Sequence, residues 1–546
     1  MSEQKWSARG LLLLVVALNL AVVYISVQLN AWNATFYNAL NRKDAAAFGH
    51  SLVVLGYIAA PYIIITIYRT YFRQLLEFRW RQWLTNNYLE RWLGDGAFYR
   101  LERDRLVDNP DQRISDDLQS LATTSLALSI DLLSTLVTLF SFVTILWSLS
   151  GAAFSLFGHQ LHIPGYMVWA SLIYAIVGSF VIFKMGRPLV TITYQQQRVE
   201  ANFRFLLIRL RESSEQIALY NGADTEKHSA NTVFGTIRDN WRQVMRLTKR
   251  LTLVNSVYGQ IAIIFPFVVA TPQYFAGAFT IGVLMQISDA FGTVSGAMSW
   301  FIGSYGTLAG WRATVNRLRE FRRVIDDQHF AEVESDATLG GGINLHRVPA
   351  SAITTQDLVL KRPNGDPMNV VKDLHIEPGA RWLVRGPSGC GKSTLLRALA
   401  GLWAYGGGTI EIPVEAKVMF LPQQSYMPID TLKATLTYPS EHTAFTDAQC
   451  LEVMERCDLS NLRERLAEST HWAQRLSPGE QQRIAFARVL LQAPDYVFMD
   501  ESSSALDGPT EAKLYGTLIS ALPKTAIVSV GHRQTLDGYH QHFLDM

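Results

Sequence analysis

The sequence predicts two joined fold classes, an all-α membrane domain of six spanning helices and an α/β domain of the phosphate-loop kind. Three observations carry this. Apolar runs of membrane length all fall before about residue 310, the last third alternates strand-like and helix-like stretches, and a glycine-rich loop opens that third. A chain of 546 residues exceeds the usual size of one domain. Its formal charge of +2 and 49% hydrophobic content average over two unlike parts. Because the two signs of charge nearly cancel, nothing favours nucleic acid as a partner. Cys390, Cys450 and Cys457 lie in the C-terminal part, have no metal-ligand spacing and cannot all pair, which suits a reducing compartment.

Six segments meet the length of about 20 mostly apolar residues that a bilayer requires. They run roughly over 10–30, 51–68, 121–149, 166–183, 254–276 and 282–309. The first resembles a signal peptide in position, but its apolar core is too long for one and no small-residue cleavage site follows clearly. Pro61 within the second is tolerable in a membrane helix. TPQY at 271–274 reads as a break in the fifth, and the sixth is rich in Gly and Ser. Basic residues set the orientation. Lys5 and Arg9 precede the first span, Arg69, Arg73, Arg79, Arg81 and Arg91 follow the second, Lys184, Arg187 and Arg198 follow the fourth, and Arg312, Arg317, Arg319, Arg322 and Arg323 follow the sixth. Loops 150–165 and 277–281 carry no Lys or Arg. The positive-inside rule then places both termini in the cytoplasm.

Connections 69–120 and 184–253 are much longer than a hairpin needs and are rich in helix formers. They fit helices that continue below the membrane and end in short turns able to touch a cytoplasmic domain. Asp131 and Asp289 fall inside the predicted third and sixth spans. A carboxylate facing lipid costs several kcal/mol, so each is expected to face the bundle interior, water or a partner. One reading is a polar translocation cavity or a proton-coupling site. The other is that Asp131 pairs with a neighbouring span and Asp289 sits near a helix end.

The predicted boundaries are 1–323 for the membrane domain, 324–350 for a polar linker with Gly340 to Gly342, and 351–546 for the second domain. The strand-like RWLVR runs directly into Gly386, Pro387, Ser388, Gly389, Cys390, Gly391, Lys392, Ser393 and Thr394, followed by a helical run. This is the G-x-x-x-x-G-K-[ST] pattern in its strand–loop–helix context. Its glycines let backbone N–H groups converge on phosphates, and the helix N-terminus adds a favourable dipole. Lys392 is expected to reach the β- and γ-phosphates of ATP and Ser393 to ligate Mg²⁺. An apolar strand, YVFMD, ends in Asp500 and Glu501; Asp500 would hold Mg²⁺ or its water, and Glu501 would polarise the attacking water.

Further motifs arrive in a fixed order: Gln423 after VMFLP, Leu476-Ser-Pro-Gly-Glu480, Ser504-Ala-Leu-Asp507, and His532 after AIVSVG. This set resembles the ABC ATPase family over essentially all of 351–546. The resemblance implies that Gln423 is the glutamine that senses Mg²⁺ and contacts the membrane half. It implies that 476–480, with Ser477, Gly479 and Glu480, form the signature loop, that 504–507 form the D-loop, and that His532 is the switch histidine. It also implies a head-to-tail sandwich of two such domains around two ATP molecules, hence a dimer.

The signature departs from the usual LSGGQ at Pro478 and Glu480. Ser477 as N-cap, Pro478 at the first helical position and Glu480 at the third make a capping box, leaving Ser477 and the Gly479 N–H for the γ-phosphate. LVLKRPN lacks the aromatic residue that often stacks on adenine, and Lys361 or Arg362 is the candidate substitute. Cys390 within the phosphate loop predicts an ATPase sensitive to thiol reagents.

In the membrane half, Tyr88-Leu-Glu-Arg-Trp92-Leu, Asn109-Pro-Asp-Gln-Arg-Ile114, Glu200-Ala-Asn-Phe-Arg204 and Glu215-Gln-Ile-Ala-Leu-Tyr220-Asn-Gly222 resemble the bacterial SbmA/BacA-related, YddA-like half-transporters. These are akin to the subfamily D peroxisomal fatty-acyl transporters. The resemblance implies an exporter-like helix arrangement, a homodimer in the bacterial inner membrane, and a 200–222 stretch that docks on the ATPase domain. The implied cargo is a small molecule or peptide, hydrophilic or amphipathic, of the cobalamin or peptide class. A fatty-acyl-CoA cargo, and a proton-coupled carrier with a vestigial ATPase, stay open as alternatives.

Overall fold

The structure, a computed structural model, describes residues 5–150, 154–156, 159–161, 164–335 and 342–546. The chain divides into two compact units. One comprises Met1–Trp92 with Val107–Val324; the other comprises Leu93–Leu106 with Ile325–Met546.

The first unit is built on long helices: α1 (Lys5–Asn41), α2 (Ala45–Leu93), α3 (Leu118–Leu149), α4 (Tyr166–Glu212), α5 (Ala223–Phe275) and α6 (Ile281–Ser335). Their apolar residues point outward as well as inward. Leu13, Tyr57, Ile63, Phe140, Phe180 and Val268 are all more than half exposed. Water would not tolerate such a surface, and lipid does. Among the described residues, five helices are long and apolar enough to cross a bilayer, those carrying the first five predicted spans. The sixth predicted span lies in the continuous helix α6, whose Gly and Ser content keeps it below that level of apolarity.

The expected break at 271–274 does not occur. Helix α5 runs through Pro266 and Pro272 to Phe275, and the chain turns only at 276–280. Both prolines fall within a membrane-length helix, which tolerates them, and the Thr271 hydroxyl beside Pro272 donates to the Phe267 carbonyl one turn earlier at 2.5 Å. The polar stretch after 324 is also less of a linker than expected, since α6 continues to Ser335. Gly340 and Gly341 lie outside the described residues, as does much of loop 150–165.

Helices α4 and α5 pack along their lengths. Tyr174 stacks on Tyr258 at 4.6 Å, and a Cβ at Gly178 would stand 1.9 Å from the Tyr258 ring, so only glycine permits this approach. Phe142, Leu146, Met167, Ala270, Ile287 and Ala290 form one buried cluster of the bundle; Val15, Leu76, Leu126 and Ile130 form another. Farther along, Arg317 of α6 holds Asp117 at 2.9 and 2.5 Å, and the buried Tyr88 hydroxyl meets the Leu318 carbonyl at 3.3 Å.

The second unit centres on a five-stranded parallel sheet: β1 (Arg381–Arg385), β2 (Val418–Leu421), β3 (Tyr496–Asp500), β4 (Ala526–Val530) and β5 (His542–Asp545), in the order β5-β1-β4-β3-β2. Strand β4 is buried at every position and β3 at all but its last, as a sheet covered on both faces requires. A second sheet, containing the strand Ile353–Lys361 and its partners, joins one face through the cluster of Ile353, Leu360, Ile410, Phe498 and Val528. Helices α7 (Lys392–Leu399) and α8 (Pro478–Gln492) follow the phosphate loop and the signature segment. The short helix Ala97–Arg103, from the connection between α2 and α3, belongs to this unit.

Candidate nucleotide site

Parallel strands end together, so residues placed just beyond their carboxyl ends meet in one crevice. Strand β1 delivers the phosphate loop, β3 delivers Asp500 and Glu501, β2 delivers Gln423, and β4 delivers His532. The loop glycines take backbone conformations closed to other residues: Gly386 has φ 148° and Gly391 has φ 109°. A Cβ on Gly386 would lie 2.9 Å from the Cys390 sulfur.

Lys392 is buried, with its ammonium donating to the carbonyls of Gly386 and Pro387, both at 2.9 Å. It pairs with no carboxylate among the described residues. A buried cation met by two carbonyls and, at 4.0 Å, the Cys390 sulfur, in a glycine-rich loop, fits an anionic phosphate. The Ser393 hydroxyl donates to Asp500 at 3.0 Å, which brings two hard oxygen ligands together. Among the described residues no group of three His, Cys, Asp or Glu could hold a metal. That sparse set fits Mg²⁺, which takes one or two protein ligands and fills the rest with phosphate and water.

Glu501 sits where three elements meet. Its carboxylate accepts from Gln423 at 3.1 Å and lies 3.5 Å from the His532 imidazole. Its backbone is in the left-handed region at φ 47°, held by its N–H on the Val530 carbonyl at 3.1 Å. A non-glycine residue held there costs on the order of 1–3 kcal/mol, a strain that clusters at functional positions.

The signature segment forms the expected capping box. Ser477 accepts from the Glu480 N–H at 3.3 Å, and the Glu480 carboxylate accepts from the Ser477 N–H at 2.9 Å. One expectation fails in detail: the Ser477 hydroxyl also donates to Glu480 at 2.9 Å, so it is committed to the cap rather than free. Asp507 caps the next helix through Thr510 N–H at 3.0 Å, and the Thr510 side chain, with that N–H second, holds its carboxyl below the usual range. Lys361 and Arg362 are exposed, with the Trp403 indole donating to the Lys361 carbonyl at 3.0 Å.

Sequence reasoning missed several positioning residues. Gln482 grips the 504–507 loop from the signature helix, donating to Ser504 at 3.0 Å and accepting from Ala505 N–H at 2.8 Å. Arg533, next to His532, holds the same loop through the carbonyls of Leu506 and Ser504 at 2.7 and 2.6 Å. Arg488 in α8, buried, secures the segment after Gln423 through the carbonyls of Tyr426 and Thr435. Each is adjacent in sequence to a motif, but its target is a backbone atom far along the chain.

A further group holds segment 93–106. Arg103 bonds Asp104 at two points, both 2.8 Å, and donates to the Leu402 carbonyl at 2.8 Å. The Tyr405 hydroxyl donates to Asp104 at 2.9 Å, with the Arg103 guanidinium 4.9 Å from the Tyr405 ring centre. The guanidinium keeps the Asp104 carboxyl below the usual carboxylate range. The 200–222 stretch, by contrast, belongs to the membrane unit, with Leu219 and Tyr220 at its turn 76% and 86% exposed.

Comparison with known proteins agrees with this geometry. The family model for ABC transporter transmembrane region 2 matches residues 1–275, and the model described as ABC transporter matches 371–504. An uncharacterized ABC transporter ATP-binding protein of Synechocystis is 36% identical, over the whole of this chain and 81% of its own length. The inner membrane ABC transporter ATP-binding protein YddA of Escherichia coli is 30% identical, over 96% of this chain and 91% of its own. The human lysosomal cobalamin transporter ABCD4 is 25% identical, over 99% and 92%. In fold, the chain is similar to a bacterial Atm1-family ABC exporter with ATP bound, at 17% identity and TM-score 0.70, covering 99% of this chain and 92% of that one. A membrane-helix domain of exporter type joined to an assembled ATPase site therefore makes this chain a member of the ABC transporter family, a half-transporter whose ATP hydrolysis is coupled to transport, related to YddA and to subfamily D.

Proposed function

We propose that two copies of this chain form an ATP-driven transporter for a hydrophilic or amphipathic solute, working by alternating access in a bacterial inner membrane. The observation that carries the reading is the convergence of Lys392, Ser393, Asp500, Glu501, Gln423 and His532 in one crevice of a chain whose other half is membrane helices. Lys392 binds and neutralises the phosphates, Ser393 and Asp500 would hold Mg²⁺, and Glu501 orients the attacking water. Mg²⁺ would supply charge neutralisation at the β- and γ-oxygens. His532, opposite Gln423 across the Glu501 carboxylate, fixes that carboxylate in place.

A homodimer is supported by incompleteness within one copy. Among the described residues the signature segment makes no hydrogen bond to its own phosphate loop, and the large side chains of Leu219 and Tyr220 are exposed. The ATPase domain of a second copy would cover both. The distribution of basic residues and the continuity of α6 support a reading of six spans with cytoplasmic termini.

The test is ATP hydrolysis by the purified protein in lipid, wild type against Glu501→Gln. Hydrolysis that collapses in the variant while ATP binding persists supports the reading. Equal, negligible rates with and without candidate solutes would refute it in favour of a vestigial ATPase beside an ion-driven path.

A further inference from the structure

A cavity of about 290 Å³ lies inside the membrane unit between α1, α2 and α3. Four charged residues, Arg69, Arg73, Glu77 and Asp131, line it, together with polar groups that include Asn19, Thr70 and Ser134. Its depth can be read from the register of α1 against α2. Arg79 bonds Ser7 at 3.0 Å at one end, and the Trp32 indole bonds the Ser51 carbonyl at 2.8 Å at the other. Arg69 lies ten residues before Arg79, so it stands roughly 15 Å along α2 from the level of Ser7. The apolar run of α1 begins at Gly10, so Arg69, the first basic residue after the second predicted span, stands beside apolar α1 rather than beyond its cytoplasmic end. Charge at such a depth is costly and marks a pathway or a ligand.

The four charges are not mutually satisfied. Arg73 bonds Glu77 at 3.1 Å and approaches Asp131 only to 3.6 Å, beyond a hydrogen bond to that acid. Asp131 accepts no hydrogen bond among the described residues, and its side chain is 47% exposed. Arg69, half-buried, makes neither an ion pair nor a hydrogen bond among the described residues. The two do not pair with each other. The cavity thus presents one open cation on α2 and one half-met anion on α3, set apart on facing helices.

We propose that this cavity is a charge-separated binding site for a zwitterionic solute, with a carboxylate or similar anionic group on Arg69 and an ammonium on Asp131. The inference rests on the transporter reading above and narrows its cargo. A polyanion would meet Asp131 and Glu77 as like charges, and a purely apolar cargo would leave both open charges desolvated. A zwitterion satisfies both at once, and the neighbouring hydroxyls and amides bind its polar body. The Asp131–Arg73 contact, long and half-exposed, is the one that opens when the ammonium arrives.

Charge-selective thiol labelling tests this without knowledge of the cargo and without hydrolysis, so its outcome is separate from that of the Glu501→Gln assay. Thr70→Cys and Ser134→Cys variants of the full chain in lipid are exposed to sulfonate and trimethylammonium methanethiosulfonates. Rates are read on the modified peptide by mass spectrometry, so that Cys390 does not interfere. Relative to a free thiol, Cys at 70 should favour the sulfonate and Cys at 134 the ammonium, each by about tenfold. Arg69→Gln should erase the first preference and Asp131→Asn the second. Triglycine, a zwitterion, should slow labelling at both positions, and its N-acetylated amide should not. The same sign of preference at both positions, no preference, no reaction from either side with or without ATP, or equal effects of the two peptides overturns the proposal. Thr123→Cys, in the same cavity, serves where Ser134→Cys fails to fold.

Discussion

Removing the Arg103 side chain isolates the hold of the ATPase unit on segment 93–106. Arg103→Ala deletes the 2.8 Å bond to the Leu402 carbonyl and the guanidinium stacked over Tyr405, and leaves the Tyr405–Asp104 bond in place. A hydrogen bond from a charged donor contributes about 1.5–3 kcal/mol. The cation–π contact adds roughly 0.5–1 kcal/mol at a partly exposed site. The Arg103 and Asp104 side chains are 15% and 22% exposed, so solvent screens them only in part. Docking should weaken by about 2–3 kcal/mol, and the undocked population of the segment should rise by roughly 30- to 150-fold. Amide hydrogen exchange reads this directly. Protection should fall within 93–106 and stay unchanged in the parallel sheet, while solute-stimulated hydrolysis drops more than basal hydrolysis. Unchanged protection of 93–106, or a uniform loss across the whole ATPase unit, would refute the reasoning. Tyr405→Phe provides the milder step, and its effect should be less than additive with that of Arg103→Ala, since both act on one cluster.

Other predictions follow from the same geometry. Arg533→Ala frees the 504–507 loop from one side and should lower kcat far more than it raises KM for ATP; Arg533→Lys, unable to bridge two carbonyls in the same way, should rescue only part, and a pure KM effect would contradict the assignment. N-ethylmaleimide should inactivate hydrolysis through the half-buried Cys390, with protection by ATP and resistance in Cys390→Ser. Cys450 and Cys457 are fully buried, and burial pushes the Cys457 thiol up to about 12, so inactivation persisting in Cys390→Ser would count against this. His540 is buried between the Leu536 carbonyl and the Ser529 hydroxyl at 2.8 and 2.9 Å, and burial pushes its imidazole below the usual 6.5. Its folded value lies below its unfolded one, so its contribution is full above about pH 6.5 and is lost as pH falls toward the folded value. The thermal midpoint of the ATPase unit should therefore drop between pH 7 and pH 5, more steeply than in His540→Gln; equal slopes would refute the linkage.

The candidate nucleotide site was legible as a constellation because its pattern is local in sequence. The phosphate loop must follow a strand and precede a helix, and the two acids must end a buried strand, so short patterns name Lys392, Ser393, Asp500 and Glu501. The capping box at Ser477 was legible for the same reason, since it spans three residues. Spans one to five followed from apolar length alone. The break expected at 271–274 was misread because a proline that disrupts a soluble helix is tolerated in one of a membrane domain. Gln482, Arg533 and Arg103 were illegible because each bonds a main-chain carbonyl or amide, and backbone targets leave no trace in residue identity. The pairing of Asp131 with a neighbouring helix was foreseen as one of two readings, but Arg69 as its uncommitted counterpart required the cavity itself.

Two consecutive residues, His532 and Arg533, join chemistry to motion. His532 faces the Glu501 carboxylate, while Arg533 grips the carbonyls of Ser504 and Leu506. Glu501 begins the same turn, since its own carbonyl accepts from Ser504 N–H at 3.0 Å. The loop 504–507 is therefore bounded by the Glu501 carboxylate at one end and by Arg533 and Gln482 on its flanks. A side chain bonded to water yields easily, but three contacts to the backbone transmit a shift of a few tenths of an ångström. Gln482 belongs to α8, whose N-terminus is the signature segment, so a displacement of Glu501 reaches Ser477 and Gly479 through rigid elements alone. In a two-copy sandwich that segment faces the nucleotide of the other chain. Each site would then sense the state of its counterpart through Glu501, the 504–507 loop and α8. The strained backbone of Glu501 at φ 47° fits that role, because a residue held away from its preferred conformation has a second position available once its carboxylate partners change.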